Sequence, residues 1–567
     1  MCRIWKHFHL QCIPLFSISN DTTMKKLLTF WVIILFCFSG KAQWNPILNE
    51  NLLVKSSPGG SSFSSTTSDG KTYIGYWKNV GSPTNYELWL QILDVNGNKQ
   101  LGADGIMLSN QIPMGTYTIV EKTAVDSSNN FYIGVTGTGT GSIGYVFKIT
   151  PSGTSVWPNG INLGEALLPT ILPLSNGDIL VAYYPPSLKH TRIQRFNAMG
   201  AAVWASPTII ASDDVTKNTV PADLFELTNN ECEIVFHKLG SFGTTSYLFA
   251  QKINFNGAII WTDGPVQIAN KTTAYNVKYQ GVTDGNIVYY GYSSGQGGRF
   301  DGYLQRINAD STLPWGIAGV DFDTNQTYYE KDMKIAFSKG SPHIWSIANY
   351  SSTSQGENGE VVQKFDKVTG TRLLTDHGKL VFPIDNVNAM YHYGDMHLIN
   401  DAPYFVVQKK EGTSALTVSL NAVLLNSNGD FAWAQNYVPM ATFVASKLYT
   451  NVLKPINGQG VIVFQEKKTA DVSNSIYAQK IMLPQTVMGT HDVLENNSPV
   501  QIYPNPVADI MHVNGVKDSD FNIYNTAGQL VKSGTIKQGE IDVRNLIKGN
   551  YILKVKERKE GMKFIKK

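Results

Sequence analysis

The sequence predicts an all-β protein: a β-propeller of four-stranded units, with a small antiparallel β-sandwich at its C-terminal end. Three observations carry this. A strand–turn phrase recurs along the body at steps of 47 to 58 residues. The turns are Asn-Gly, Asp-Gly and similar pairs, which reach positive φ cheaply and close hairpins. Charged residues are only 16% of 567, and no helical period appears.

The recurrent phrase has a fixed internal order. A short alternating strand contains Gln, an Asn/Asp-x-x-Gly turn follows, and Trp stands four residues after the Gly. Gln194 leads through Asn197 and Gly200 to Trp204, and Gln251 leads through Asn254 and Gly257 to Trp261. Gln305 leads to Trp315, Gly153 to Trp157 and Gly429 to Trp433. In two copies Leu101 and Leu374 take the Trp place. The anchors fall at 91, 147, 194, 251, 305, 363, 421 and 479, with Phe147 and Asn421 replacing Gln in two of them. Between anchors a turn precedes an apolar strand, as at Asp69-Gly70 before Tyr73–Trp77 and Asn176-Gly177 before Ile179–Tyr184. That phrase too recurs eight times. About four short strands fit in each unit, and tandem four-stranded units stack around an axis as propeller blades. Eight blades is the direct count, seven the alternative, and a pair of β-sandwiches a third option.

The recurrent tryptophans, Trp44, Trp157, Trp204, Trp261, Trp315 and Trp433, are expected to pack blade on blade. The last anchor, Gln479, has no Trp strand after it. The segment Gln43-Trp44-Asn45-Pro46 through Leu52-Leu53-Val54 has that character, so the two ends are expected to complete one blade together and hide a sheet edge.

The chain is organised as an address, a body and a second address. Met24-Lys25-Lys26, the apolar run Leu27–Phe38 and Gly40-Lys41-Ala42 have the order of a secretory signal peptide, with cleavage expected between Ala42 and Gln43. Residues 1–23 then read as an upstream extension from a misassigned start, and 24–42 as the signal peptide. The body spans 43–484, a polar linker 485–497, and the tail 498–567. Sec translocon and signal peptidase are the implied first partners. Cys2, Cys12 and Cys37 fall before the expected cleavage point, which leaves Cys232 without a disulfide partner, in a strand pattern that suggests a buried thiol.

The tail opens Tyr503-Pro504-Asn505-Pro506. It continues through a phrase over 521–531 containing Gly528 and Leu530, and one over 541–555 containing Leu546, Gly549 and Tyr551. It ends in Lys566-Lys567. In these phrases it resembles the type A C-terminal sorting domain of the type IX secretion system of Bacteroidetes. The resemblance covers about the last eighth of the chain. It implies folding in the periplasm, recognition by the outer-membrane translocon, removal by a sortase-like peptidase, and a protein that is secreted or held at the cell surface. From 498 onward twelve Lys/Arg face seven Asp/Glu.

Chemistry in the body is sparse at sequence level. There is no Gly-x-Ser-x-Gly elbow, no His-Glu-x-x-His and no phosphate loop, so no catalytic residue, cofactor or metal is assigned. A net charge of +3 gives no strong field toward nucleic acid. His392 and His397, taken as one strand, would face opposite ways and make poor joint ligands. Asp94-Val95-Asn96-Gly97-Asn98 begins like a calcium loop but has Gly105 at the twelfth position, so a hairpin turn fits better. Gly/Ser-rich loops at Gly137–Gly144, Ser293–Gly298 and Ser351–Gly359, with Trp77, Tyr86, Tyr183, Tyr184, Tyr292 and Tyr350 nearby, suit sugar stacking. Two functions stay open. One is a non-enzymatic propeller that binds a glycan or other surface ligand. The other is a secreted glycan- or peptide-degrading enzyme on the same scaffold, which would need ionisable residues converging in a central funnel.

Overall fold

The computed structural model describes residues 44–81, 85–110, 119–136, 142–240, 246–275, 277–295, 298–412, 414, 417–484, 501–514, 519–525, 529–556 and 561–567. The expected signal peptide, the cleavage pair Ala42/Gln43, the linker and Gly528 lie outside the described residues. The chain divides into two compact units, Met1–Val487 and Met488–Lys567.

The first unit contains eight antiparallel sheets. In blades 1 to 6 the strands are hydrogen-bonded in chain order. Blade 1, for example, is Gly59–Thr66, Thr72–Gly81, Asn85–Leu93 and Ile106–Ser109, and blade 4 is Asn218–Glu226, Glu231–Leu239, Ser246–Asn254 and Val266–Gln267. All eight anchor positions fall on third strands, and all eight turn-led apolar runs form second strands. Blade 7 departs from the four-strand rule. Its first strand is split into Met390–His392 and His397–Ile399, both paired with Ala402–Lys410.

Eight apolar cores lie between the sheets, and each is shared by two successive blades. Tyr73 and Trp77 of blade 1 pack with Phe131 and Ile133 of blade 2. Ile74 and Tyr76, the alternate residues of the same strand, pack with Val461 and Val463 of blade 8. The period of two therefore serves two buried faces, and the second strands are apolar on both sides. The remaining cores join blades 2 and 3, 3 and 4, 4 and 5, 5 and 6, 6 and 7, and 7 and 8. Because blade 8 also packs on blade 1, the ring is closed and the fold is an eight-bladed propeller.

Closure is made by the N-terminal segment. Blade 8 consists of Leu448–Val452, Gln459–Glu466 and Ser475–Met482, and its fourth strand is Leu52–Lys55. Leu52 is in register with Ala478 and Leu53 with Tyr477.

The anchor glutamines have a common job. Gln194 Nε2 donates to Trp204 O at 3.1 Å, and its Oε1 accepts the Arg195 N–H at 2.8 Å. Gln251, Gln305 and Gln363 repeat this pattern on Trp261, Gly316 and Thr375. In blade 8, Gln479 Nε2 donates to Asn45 O at 3.0 Å, across 434 positions of chain. An amide offers both a donor and an acceptor, which this double role requires.

The second unit is a two-sheet β-sandwich. One sheet orders Gln501–Tyr503, Ile510–Asn514 and Glu540–Asp542. The other orders Leu530–Thr535, Asp520–Asn525, Gly549–Val555 and Gly561–Lys566. Val507, Met511, Ile523, Leu553 and Phe564 lie in its core. The basic end of the chain, read from sequence only as a charged terminus, is itself a strand.

Candidate ligand pocket on the propeller axis

The innermost strands of six blades carry bulges. Register breaks fall at Gly59/Ser62, Val120/Lys122, Leu167/Thr170, Pro221/Asp223, Lys331/Lys334 and Leu448/Asn451. A bulge bends its strand and re-aims side chains. Leu168, Asp332 and Tyr449 hold positive φ there, at 54°, 51° and 47°. That conformation is uncommon for residues other than glycine and gathers at functional places.

A cavity of about 590 Å³ opens among these strands, lined from blades 1 to 5 and blade 8. Its rings are Phe63, Tyr275, Tyr279, Tyr290 and Tyr449, and its hydroxyls include Ser62, Thr170 and Thr450. Two of its charged residues, Lys122 and Asp223, are engaged with each other, and a third, Lys278, is exposed. Asp223 is buried, its Oδ2 accepts the Tyr290 hydroxyl at 2.8 Å, and Lys122 forms an ion pair with it. Tyr279 Oη donates to Ser293 O at 3.1 Å and accepts the Ala274 N–H at 3.1 Å. Burial pushes that phenol up to about 12. His237 is 1% exposed, and burial pushes it down to about 3, so its ring is neutral. Its Nδ1 lies 2.9 Å from Ser246 Oγ, and its ring centroid lies 5.9 Å from that of Tyr279.

The aromatic residues singled out from sequence sit elsewhere. Trp77, Tyr183, Tyr184, Tyr292 and Tyr350 are buried in the cores between blades, and Tyr86 is partly buried against the core of blades 1 and 2. The cavity's own residues come from positions tens to hundreds of residues apart.

A second ionisable group joins blades 6 and 7. His392 Nδ1 lies 3.0 Å from both Glu360 carboxylate oxygens, and Nε2 lies 2.7 Å from Asp332 O. Both His392 and Glu360 have fully buried side chains. Burial alone would lower His392, but the Glu360 carboxylate and the Asp332 contacts hold it up at about 10. Asp332 resists the upward push of burial, because His392 and Lys334 hold its carboxyl below the usual range. His397 does not share a strand with His392. The positive-φ Gly394 separates the two, and His397 Nε2 bonds Val452 O at 2.9 Å.

The recurrent tryptophans pack on the next blade's turn. Trp44, Trp204, Trp261 and Trp315 donate Nε1 to Val95 O, Phe255 O, Ala309 O and Val368 O. A Cβ on Gly200 would stand 2.9 Å from Trp157. Leu101 and Leu374 occupy the same place against Gly153 and Gly429. Trp433 packs on the core of blades 7 and 8. The Asp94 turn is an Asx turn in which one carboxylate oxygen accepts the Asn96 and Asn98 N–H groups.

In the second unit the separate tail phrases meet. Asn505 Oδ1 accepts the Ile565 N–H at 2.9 Å, and its Nδ2 donates to Lys563 O at 3.2 Å. Pro504 and Pro506 follow cis peptide bonds. Gly549 is in register with Lys566 and Tyr551 with Phe564, and Lys567 N donates to Val507 O at 2.9 Å. Leu546 packs on the core, Tyr551 is buried within it, and Tyr503 and Leu530 are exposed.

Comparison with known proteins separates these two units. A search of curated proteins gave no match. Among solved structures, an ulvan lyase bound to -[GlcA(1-4)Rha3S]- is similar at 9% identity and a TM-score of 0.40, covering 79% of this chain and 96% of that one. A protein of unknown function from Dyadobacter fermentans is similar at 11% identity and a TM-score of 0.33, covering 76% and 96%. An α-L-arabinanase of Penicillium chrysogenum complexed with arabinobiose is similar at 11% and 0.30, covering 56% and 93%. Residues 501–567 match the family described as Secretion system C-terminal sorting domain. The second unit is therefore a C-terminal sorting domain, and the chain is exported by type IX secretion to the cell surface or the extracellular space.

Proposed function

We propose that the propeller is an exported binding protein whose axial cavity holds a glycan unit. The observation that carries this is the composition of that cavity. Aromatic faces and hydroxyl groups surround it, and its one buried charged group, Asp223, is paired with the half-buried Lys122. Flat rings with a few placed polar groups suit the alternating apolar and hydroxylated faces of a sugar. A binding role asks for no free ionisable pair, and Asp223 is committed to Tyr290 and Lys122. In this reading the Sec translocon and signal peptidase handle residues 24–42, with cleavage between Ala42 and Gln43. The body is residues 43–484, and the type IX translocon and a sortase-like peptidase act on 498–567.

The test is a screen of the secreted protein against polysaccharides, scored for binding and for product release. Binding without turnover is the expected result. Release of shortened or unsaturated products would instead favour the second reading, a glycan-degrading enzyme, for which the meeting of Lys122, Asp223 and His237 in one cavity is the supporting observation.

A further inference from the structure

We propose that His237 is the acceptor for a sugar hydroxyl in the axial cavity, presenting an unprotonated Nε2 to the ligand. This rests on the glycan reading of the cavity and adds to it the group that fixes the sugar's orientation.

The proposed tautomer is the one in which the hydroxyls behind the ring donate to backbone carbonyls. Ser246 Oγ donates to Thr273 O at 3.0 Å, and Thr273 Oγ1 donates to Ser246 O at 3.1 Å. Each hydroxyl has one hydrogen and one of these carbonyls within its reach, and the two hydroxyl oxygens lie 3.0 Å apart. The ring nitrogen next to them, Nδ1, is 2.9 Å from Ser246 Oγ and 3.4 Å from Thr273 Oγ1. With both hydrogens on the carbonyls, the two oxygens turn lone pairs toward Nδ1, and we place the single proton of the neutral ring there. The lone pair is left on Nε2. That nitrogen has no protein partner among the described residues, and His237 lines the cavity. The opposite tautomer would turn an N–H into the cavity with no acceptor to receive it.

In an open cavity of this size water serves a free acceptor. A ligand hydroxyl takes the place of that water. The carboxylate nearby does not compete for this role, because Tyr290 and Lys122 already occupy Asp223. Tyr279, 5.9 Å away between ring centroids, supplies an aromatic ring beside His237. Tyr290 stands edge-on to Tyr279 at 6.5 Å and carries that ring toward Asp223. One acceptor beside an aromatic ring positions a sugar by one hydroxyl and one face.

The experiment uses the full chain labelled with 15N-histidine and 13C-tyrosine, with the His237→Phe and Tyr279→Phe spectra assigning their signals. At neutral pH His237 should show a protonated Nδ1 and a bare Nε2. The methyl glycosides of glucose, galactose and glucuronic acid are then titrated at millimolar concentrations. The expected result is movement of the Nε2 signal with at least one neutral glycoside. Affinity should fall roughly tenfold in His237→Phe and stay near wild type in His237→Gln, whose amide oxygen replaces the acceptor. If His237→Phe loses its unfolding transition, the His237→Gln and His237→Lys pair carries the comparison, since Lys offers only donors. A proton on Nε2, or an unmoved Nε2 while the Tyr279 signal shifts, overturns the role of His237 and leaves the glycan reading standing. Silence of both signals toward all three glycosides overturns the glycan reading as well.

Discussion

The indole of Trp204 in blade 3 rests on Gly257 in the turn of blade 4, and its Nε1 donates to Phe255 O at 2.9 Å. The Trp at the end of one unit and the Gly in the turn of the next are thus two halves of one contact. A Cβ on Gly257 would stand 3.0 Å from the indole, and φ there is 83°. Gly257→Ala is expected to cost about 1–3 kcal/mol through the positive φ and the crowding together. Gly177→Ala, at φ 90° with nothing near, bears the backbone cost alone. Denaturant midpoints of the two variants should differ in that order, and equal midpoints would refute the packing role.

Closure of the ring rests on Val54, 1% exposed in the core of blades 8 and 1. Val54→Asp places an unpaired charge in that core and should detach Leu52–Lys55 from Ser475–Met482. A bare third strand then becomes an edge. Light scattering should show concentration-dependent association of this variant. A monodisperse, fully stable protein would contradict the closure described above.

The pair of His392 and Glu360 makes stability fall in base. His392 is raised from 6.5 to about 10 on folding. Its contribution is therefore complete below about 6.5 and is lost as pH climbs through about 10. In that window the folded state holds a proton the unfolded state lacks, a slope of about 1.4 kcal/mol per pH unit. His392→Gln should be less stable at neutral pH and should flatten the decline between pH 7 and 10. A parent protein whose stability is flat over that range would exclude the protonated pair.

Cys232 lies in the core of blades 3 and 4, and burial pushes its thiol well above the usual range. In the secreted form it should be silent toward a thiol reagent until the protein is unfolded, and then react once. Ready labelling of the native protein would place the residue elsewhere.

Removal of 501–567 should abolish appearance of the protein outside the cell and leave a periplasmic propeller. The body is a compact unit of its own, so it should keep its melting transition. Fractionation with immunodetection gives the answer. Undiminished secretion of the truncated chain would count against the tail as the address.

The repeat was readable because each unit writes the same contact twice, as Gln on its third strand and as Trp or Leu against a glycine turn. The count of eight followed from anchors such as Gln91 and Gln363. The copies without Gln, at Phe147 and Asn421, still fell on third strands because spacing is fixed by the four-strand unit. The cavity was not readable. Lys122, Asp223, His237 and Tyr449 come together only when the ring closes, and none sits in a phrase that recurs. Of the bulges beside the cavity, two place Leu168 and Tyr449 at positive φ, where sequence habit expects glycine or asparagine. His392 and His397 were misplaced on one strand because the positive-φ Gly394 between them was read as part of it.

The fourth strand of blade 8 is made before any of the blades. Leu52–Lys55 emerges from the ribosome ahead of the whole propeller, and its partner Ser475–Met482 arrives more than four hundred residues later. Closing so long a loop is a late step in folding. Until then the chain cannot become a ring at any stage of synthesis, and the molecule travels with its clasp open. The final fastening waits for the last blade, so the ring is the one part of this fold that no shorter stretch of the chain can complete.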